Sequence, residues 1–560
     1  MLLNQDLAAD HYGSEHVWSI VADQPIPVTS DPDSVQRAVA VTLAASVGAN
    51  RNVASGGSPS PQSYQGEIQI VVNPNDPSQI VAAANTWDTM GGACGGGIQA
   101  VFYSSDGGNT WGYTCAPDDG DYPGMSCSGT VFGSDPALYW NDNDEVFLNY
   151  MLLCSTGGST QYSMVVARSA DGGATWAGQG IIKDSWGTGE LEDKNFYIID
   201  NHPGSPYSGR HYTCWDRGND EKFAYSTNNG QTWTEVDLPA VGGLDLGCEM
   251  AVEDDGTVHI VYDTLTCGSQ SCTNEEMFYS RSTDGGASWS SPVEVRDFSL
   301  VSFSTDSTPD AQDERGVNPF GALDVDNSGG PCDGYLYATF SDKTSSANDA
   351  DVYVSRSTDG GASWETPVTV NDDGLADRIQ FHPTMLVDQS NGDVFVAWHD
   401  ARNDSGNDAV DYFVGRSTDC GLTWENVQAS APSSEFNNSS ISYTNLNSSD
   451  NPNRNPNQYG EYMGLDVLNG TAYLAWTDSR HYFPGSTSES EAENLGFAIV
   501  DYGGNQSPAV SITAPADGST FDLGASVSFT GTASDTEDGD LSSGLSWSSS
   551  IDGAIGSGAS

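Results

Sequence analysis

The chain has 560 residues, more than one ordinary domain needs, and carries 18 Lys and Arg against 78 Asp and Glu for a formal net charge of -60. That balance excludes nucleic acids and anionic membrane surfaces as partners, since both need clustered positive charge, and no apolar run approaches the ~20 residues of a membrane-spanning helix. The acid excess reads as a solvated face suited to high ionic strength; its oxygens could take up Ca²⁺, although nothing in the sequence requires a cofactor.

Residues Met1 to Asp10 lack the basic region and apolar run of a secretory signal, so the start reads as trimmed. Residues 1–60 are expected to be a lead segment, with Arg37 to Ala44 supplying a strand to the main domain. Ten cysteines follow, even in number and without C-x-x-C spacing, which favours disulfides in a secreted or extracellular protein over zinc. Cys267 with Cys272, and Cys127 with Cys154, are the pairings the order suggests. From residue 61 the chain alternates short period-two strands, such as Glu67 to Val72 with Ile80 to Ala84, and Thr384 to Val387 with Val394 to Trp398.

One octapeptide returns six times, starting at Ser104, Ser169, Ser226, Ser282, Ser357 and Ser417, 56 to 75 residues apart. Its acidic or amide third residue can accept turn N–H bonds, its glycine supplies positive φ, and its tryptophan covers a hairpin base. The pattern S-x-D-x-G-x-[ST]-W resembles the Asp box of the sialidase superfamily, which implies an all-β propeller over 61–502 with the boxes away from the active face. A seventh strand unit without a box runs from Tyr462 to Val500, so seven blades are expected, with six as the alternative; the lead segment would complete the last sheet. Residues 503–508 read as a linker. Residues 509–560 resemble the opening half of a bacterial Ig-like module, a partial β-sandwich.

Aligned by unit, Glu67, Asp135, Asp193, Glu249, Asn318, His382 and Glu461 fall near the starts of the inner strands, around one mouth of the ring. The ends of the second strands add Trp398, Arg402, Trp476, Arg480 and His481. Aromatic and charged side chains in a concave mouth suit sugars, although a recurring Trp-x-Asp can equally be a repeated scaffold bond. The segment from Cys248 to His259 looks like the one bearing the sialidase catalytic glutamate. That resemblance implies Glu249 as base for a tyrosine nucleophile, Tyr459 or Tyr462, with Glu461 beside them. The early arginine of the sialidase triad has no counterpart, because no arginine lies between Arg51 and Arg168. The expected protein is a monomeric glycoside hydrolase acting on a polysaccharide or glycoconjugate, poor on sialosides, with Arg402, Arg480, His481, Trp398, Trp476 and Asp193 holding substrate. One alternative is a polysaccharide lyase with His382 or a tyrosine as base; another is a non-catalytic glycan-binding propeller.

Overall fold

A computed structural model describes residues 45–53, 65–85, 99–430, 459–478 and 494–502, apart from single residues and pairs within loops. Outside these it describes 18–22 and short strands between 509 and 557. The described chain forms two units, 45–501 and the combination of 1–44 with 502–560.

The larger unit is a ring of seven antiparallel sheets. The first blade comprises Gly66–Val72, Ile80–Asn85, Ala100–Ser104 and Gly112–Cys115. Five further four-stranded blades begin at Thr130–Trp140, Asp193–Ile199, Leu244–Val252, Phe320–Val325 and Gln380–Asp388. In the seventh, Gly464–Leu468, Thr471–Asp478 and Asn494–Asp501 are completed by Ser46–Val47 and Arg51–Asn52, both paired to the last of them. The lead segment thus closes the ring; the expected donor Arg37 to Ala44 lies outside the described residues.

Each sheet has neighbours on both faces, so strand interiors are apolar without interruption: Val81, Ala82, Ala83 and Ala84 have no exposed surface. The core is accordingly a series of inter-blade layers. One, of Ile68, Ile70, Phe102, Tyr473, Leu495 and Phe497, joins the seventh blade to the first. The octapeptides seal these layers from the outside. In the first, Asp106 accepts from Thr110 N at 2.8 Å and Thr110 Oγ1 at 2.7 Å, while Gly108 N donates to Ser104 Oγ at 2.9 Å. Asn228 keeps the acceptor role in the third, taking Thr232 N at 3.0 Å. The box tryptophans lean on the preceding blade: Trp111 on Phe497, Trp289 on Phe223 and Trp364 on Tyr279, all edge-on. Arg281 and Arg356 donate to Gly360 O and Cys420 O in the next blade's box, which makes them inter-blade ties.

Disulfides join Cys127 to Cys154, Cys214 to Cys248, Cys267 to Cys272 and Cys332 to Cys420. Two are the pairs suggested by sequence order, and Cys214–Cys248 links the third blade to the fourth. In the smaller unit, Ala509–Ala514 pairs with Thr530–Asp535, and Trp18–Ala22 pairs with Leu545–Ser549.

Candidate functional site

Six of the seven innermost strands break register near their start, each by a bulge. At four of these the first unpaired residue is not glycine and sits at positive φ: Glu67 at 54°, Asp135 at 53°, Lys194 at 48° and His382 at 51°. Side chains in that region are strained, and a bulge re-aims the residue it displaces. In the fourth blade the positive φ falls instead on the second unpaired residue, Gly247, at 87°. Of the residues aligned from sequence, Glu67, Asp135 and His382 lie at these bulge positions, Asp193 lies one residue before Lys194, and Glu249 lies two beyond Gly247.

Three of the strained residues, Glu67, Asp135 and Lys194, share one charged network across the mouth. Lys194, from the third blade, pairs with Glu461, which precedes the seventh. Arg315, on the long loop entering the fifth blade, reaches Glu461 at 2.8 Å and Glu67 at 3.0 Å. The same loop is pinned to the seventh-blade entry by Gln312, which donates to Gly460 O at 3.0 Å and accepts from Tyr459 N at 3.2 Å. Asn85 donates to both Glu67 and Asp135. Asp135 also accepts from Ser134 Oγ at 2.6 Å and Lys194 N at 3.3 Å.

Burial and neighbouring charge raise the proton affinity of two acids at the mouth. Burial, reinforced by Asp135, pushes Asp193 up to about 8. Glu67 is raised as well, chiefly by burial, against the opposing pull of Arg315. His382 is held well below the usual imidazole range by burial, then by His399, Arg315 and Lys194, and neither ring nitrogen has a hydrogen-bond partner. Further along the same face Asp216 lies opposite Glu221 in register and accepts from Gly247 N at 2.8 Å. Asp263 and Glu275 are a second buried, interacting pair of acids. The one trio of close metal-type ligand atoms among the described residues, Cys214, Glu221 and Cys248, has its sulfurs committed to a disulfide.

Other candidates move away from the mouth. Trp398 and Trp476 have no exposed surface; Trp398 donates to Asp400 Oδ2 at 2.7 Å, and Trp476 stacks on Tyr412. They are inter-blade core, because a strand residue on either face of a propeller sheet meets another sheet. Arg402 is bound by Asp400 at 2.8 Å and Asp372 at 2.6 Å and covers the Phe413 ring, so it is a scaffold tie and not a substrate clamp. Tyr459 is fully buried in an apolar cluster with Ile379, Phe381 and Val317, which removes it as a nucleophile open to a sugar. The Tyr462 hydroxyl is also buried. Glu249 lies past the bulge, opposite Val261 in register, and burial, then the charge of Asp324, holds its carboxyl well above the usual range. Arg480 and His481 lie outside the described residues. Sequence reasoning missed Lys194 and Arg315. Lysine is rare here, four residues in all, and that scarcity was the signal available for Lys194; Arg315 reaches the mouth only through the folded loop.

Residues 508–543 match the bacterial Ig domain family. No curated protein matches the chain in sequence. Among solved structures it is similar to a leech intramolecular trans-sialidase, at 13% identity and TM-score 0.43, with 68% of this chain and 70% of that one covered. It is also similar to a protein of unknown function from Dyadobacter fermentans (12%, TM-score 0.42, 82% and 99% covered). A third is the α-L-arabinanase of Penicillium chrysogenum (13%, TM-score 0.38, 66% and 92% covered). Residues 45–501 form a seven-bladed β-propeller, and residues 508–543 match a bacterial Ig domain.

Proposed function

We propose that this propeller is a secreted carbohydrate-active protein that cleaves glycosidic bonds in a polysaccharide at the mouth lined by Glu67, Asp135, Asp193, Lys194, Arg315 and Glu461. The observation that carries the reading is the convergence of four strained bulge residues on one mouth that also holds Asp193, a carboxyl group whose proton is retained by burial. Glycosidic cleavage needs one carboxyl group that keeps its proton and another that is ionised. Asp193, half-buried and raised to about 8, suits the donor to the leaving oxygen. Asp135, which accepts from Asn85, Ser134 and the Lys194 N–H, is the second carboxyl group held beside Asp193. Lys194 and Arg315 offset part of the acid charge, so a neutral glycan meets no large repulsion, and no cofactor enters the step. Sialosides should be poor substrates, since three arginines for a sialic-acid carboxylate do not converge among the described mouth residues.

A second reading, a uronate lyase, draws on Arg315, the mouth cation able to neutralise a uronate carboxylate; His382, the base it would use, is as buried as Tyr459 and reaches an α proton only if the site opens. Product analysis separates the two. Reducing ends without absorbance from an unsaturated uronate support hydrolysis; appearance of that absorbance supports the lyase. Tight binding with no product would identify a glycan-binding propeller, whose mouth ions serve as inter-blade ties.

A further inference from the structure

Few large apolar residues are exposed among the described residues, and three of them, Leu191, Phe303 and Leu375, share a location. Each lies in a loop passing from the outer strand of one blade to the inner strand of the next, on the face where the mouth opens. A single exposed apolar side chain means little by itself. Phe303 differs in two respects. It is 51% exposed, and its φ is 54°, a backbone state that bulky side chains avoid. Its neighbours enforce that state. Ser302 is buried and gives both its N–H, at 2.5 Å, and its Oγ, at 3.0 Å, to Glu275. Leu300 N and Ser299 N are fixed to Asp342 at 2.8 and 2.9 Å, and Ser304 N turns back to Val301 O. Further along, the same loop delivers Arg315 to Glu67 and Glu461.

A chain that holds an aromatic ring in solvent, at a strained position directly after a run of buried anchors, is spending stability on that ring. We propose that Phe303 is a stacking platform for the apolar face of a pyranose ring in a neutral polysaccharide, at a position along the glycan away from the bond to be cleaved. The proposal rests on the carbohydrate reading of the mouth. Aromatic rings take the C–H face of a sugar in preference to its hydroxyl edge, and a preset ring loses little freedom on binding.

The test compares Phe303→Ala, Phe303→Trp and Phe303→Gly with Leu422→Ala, an exposed control in a box on the opposite face, by affinity electrophoresis in gels containing arabinan, xylan, laminarin or pectin. Phe303→Ala should weaken binding about tenfold at an unchanged Tm, and Phe303→Trp should restore it. Phe303→Gly should weaken binding equally while Tm holds or rises, because glycine accepts the positive φ. That opposition is what a structural phenylalanine would not give. A fall in Tm for the glycine variant, or retention by Phe303→Ala equal to the parent, overturns the platform. In the second case loss of cleavage in Asp193→Asn would leave the mouth reading standing, whereas a parent chain retained by none of the four gels overturns both.

Discussion

Arg315 holds two buried carboxylates at once, and its removal should be felt through protons as much as through lost contacts. The side chain of Glu67 is 6% exposed and that of Glu461 is 9% exposed. Taking one partner from a buried ion pair costs about 3–5 kcal/mol, because the remaining charge stays out of water. In Arg315→Gln, Glu461 keeps Lys194, while Glu67 keeps the Asn85 amide and the longer-range pull of Lys194. The expected loss near pH 8 is therefore at the lower end, about 3 kcal/mol. Glu67 is already raised by burial, so without Arg315 it takes up a proton at moderately acid pH, and the loss should shrink. Urea unfolding followed by tryptophan fluorescence at pH 5 and pH 8, on parent and variant, reads both numbers. A loss equal at the two pH values, or below about 1 kcal/mol at pH 8, would refute the claim that Arg315 neutralises a buried mouth acid.

Three further outcomes follow from the same contacts. A Cβ on Gly361, at φ 83°, would stand 1.9 Å from the Tyr279 ring, so Gly361→Ala should destabilise by about 2–4 kcal/mol in a melting experiment. Burial raises Asp193 to about 8, Asp216 to about 6 and Glu275 to about 7, so the folded chain holds protons that an unfolded chain, with carboxyls near 4, releases. Their contribution is complete below pH ~4 and is lost as pH climbs toward 8; Tm should fall from pH 5 to pH 9, and Asp193→Asn should flatten that slope. Opening Cys214–Cys248, which closes 34 residues between two blades, by a double Cys→Ser change should cost about 4 kcal/mol on the chain-entropy account, read as a lower urea midpoint.

The propeller was legible because its information is local. Each octapeptide carries its own turn acceptor, its own positive-φ glycine and its own tryptophan, and the seventh unit betrayed itself by strand pattern alone. The contact that makes the box glycine necessary is not local: a Cβ on Gly108 would meet Phe497, which lies 389 residues later, beyond any reading of the octapeptide. The mouth was half legible. Glu67, Asp135 and His382 align because bulges recur near the start of the inner strand in six of the seven blades, and Lys194 lies one residue beyond the aligned Asp193. Arg315 was hidden because a loop brings it across the ring. Trp398 and Trp476 were misplaced because alternation separates core from solvent in a two-layer sheet, while both faces of a propeller blade are buried.

The central claim is that the mouth acids break a glycosidic bond, and the most direct measurement is release of reducing ends from arabinan, xylan and laminarin, resolved by product chromatography. Parent, Asp193→Asn and Asp135→Asn proteins would be run side by side after their Tm values are shown to match. The account predicts oligosaccharide release by the parent and a loss of at least about a hundredfold in each variant, the usual scale for removing an acid–base group. Parent-level release by both variants, or no release by the parent from any of these polysaccharides, would contradict it.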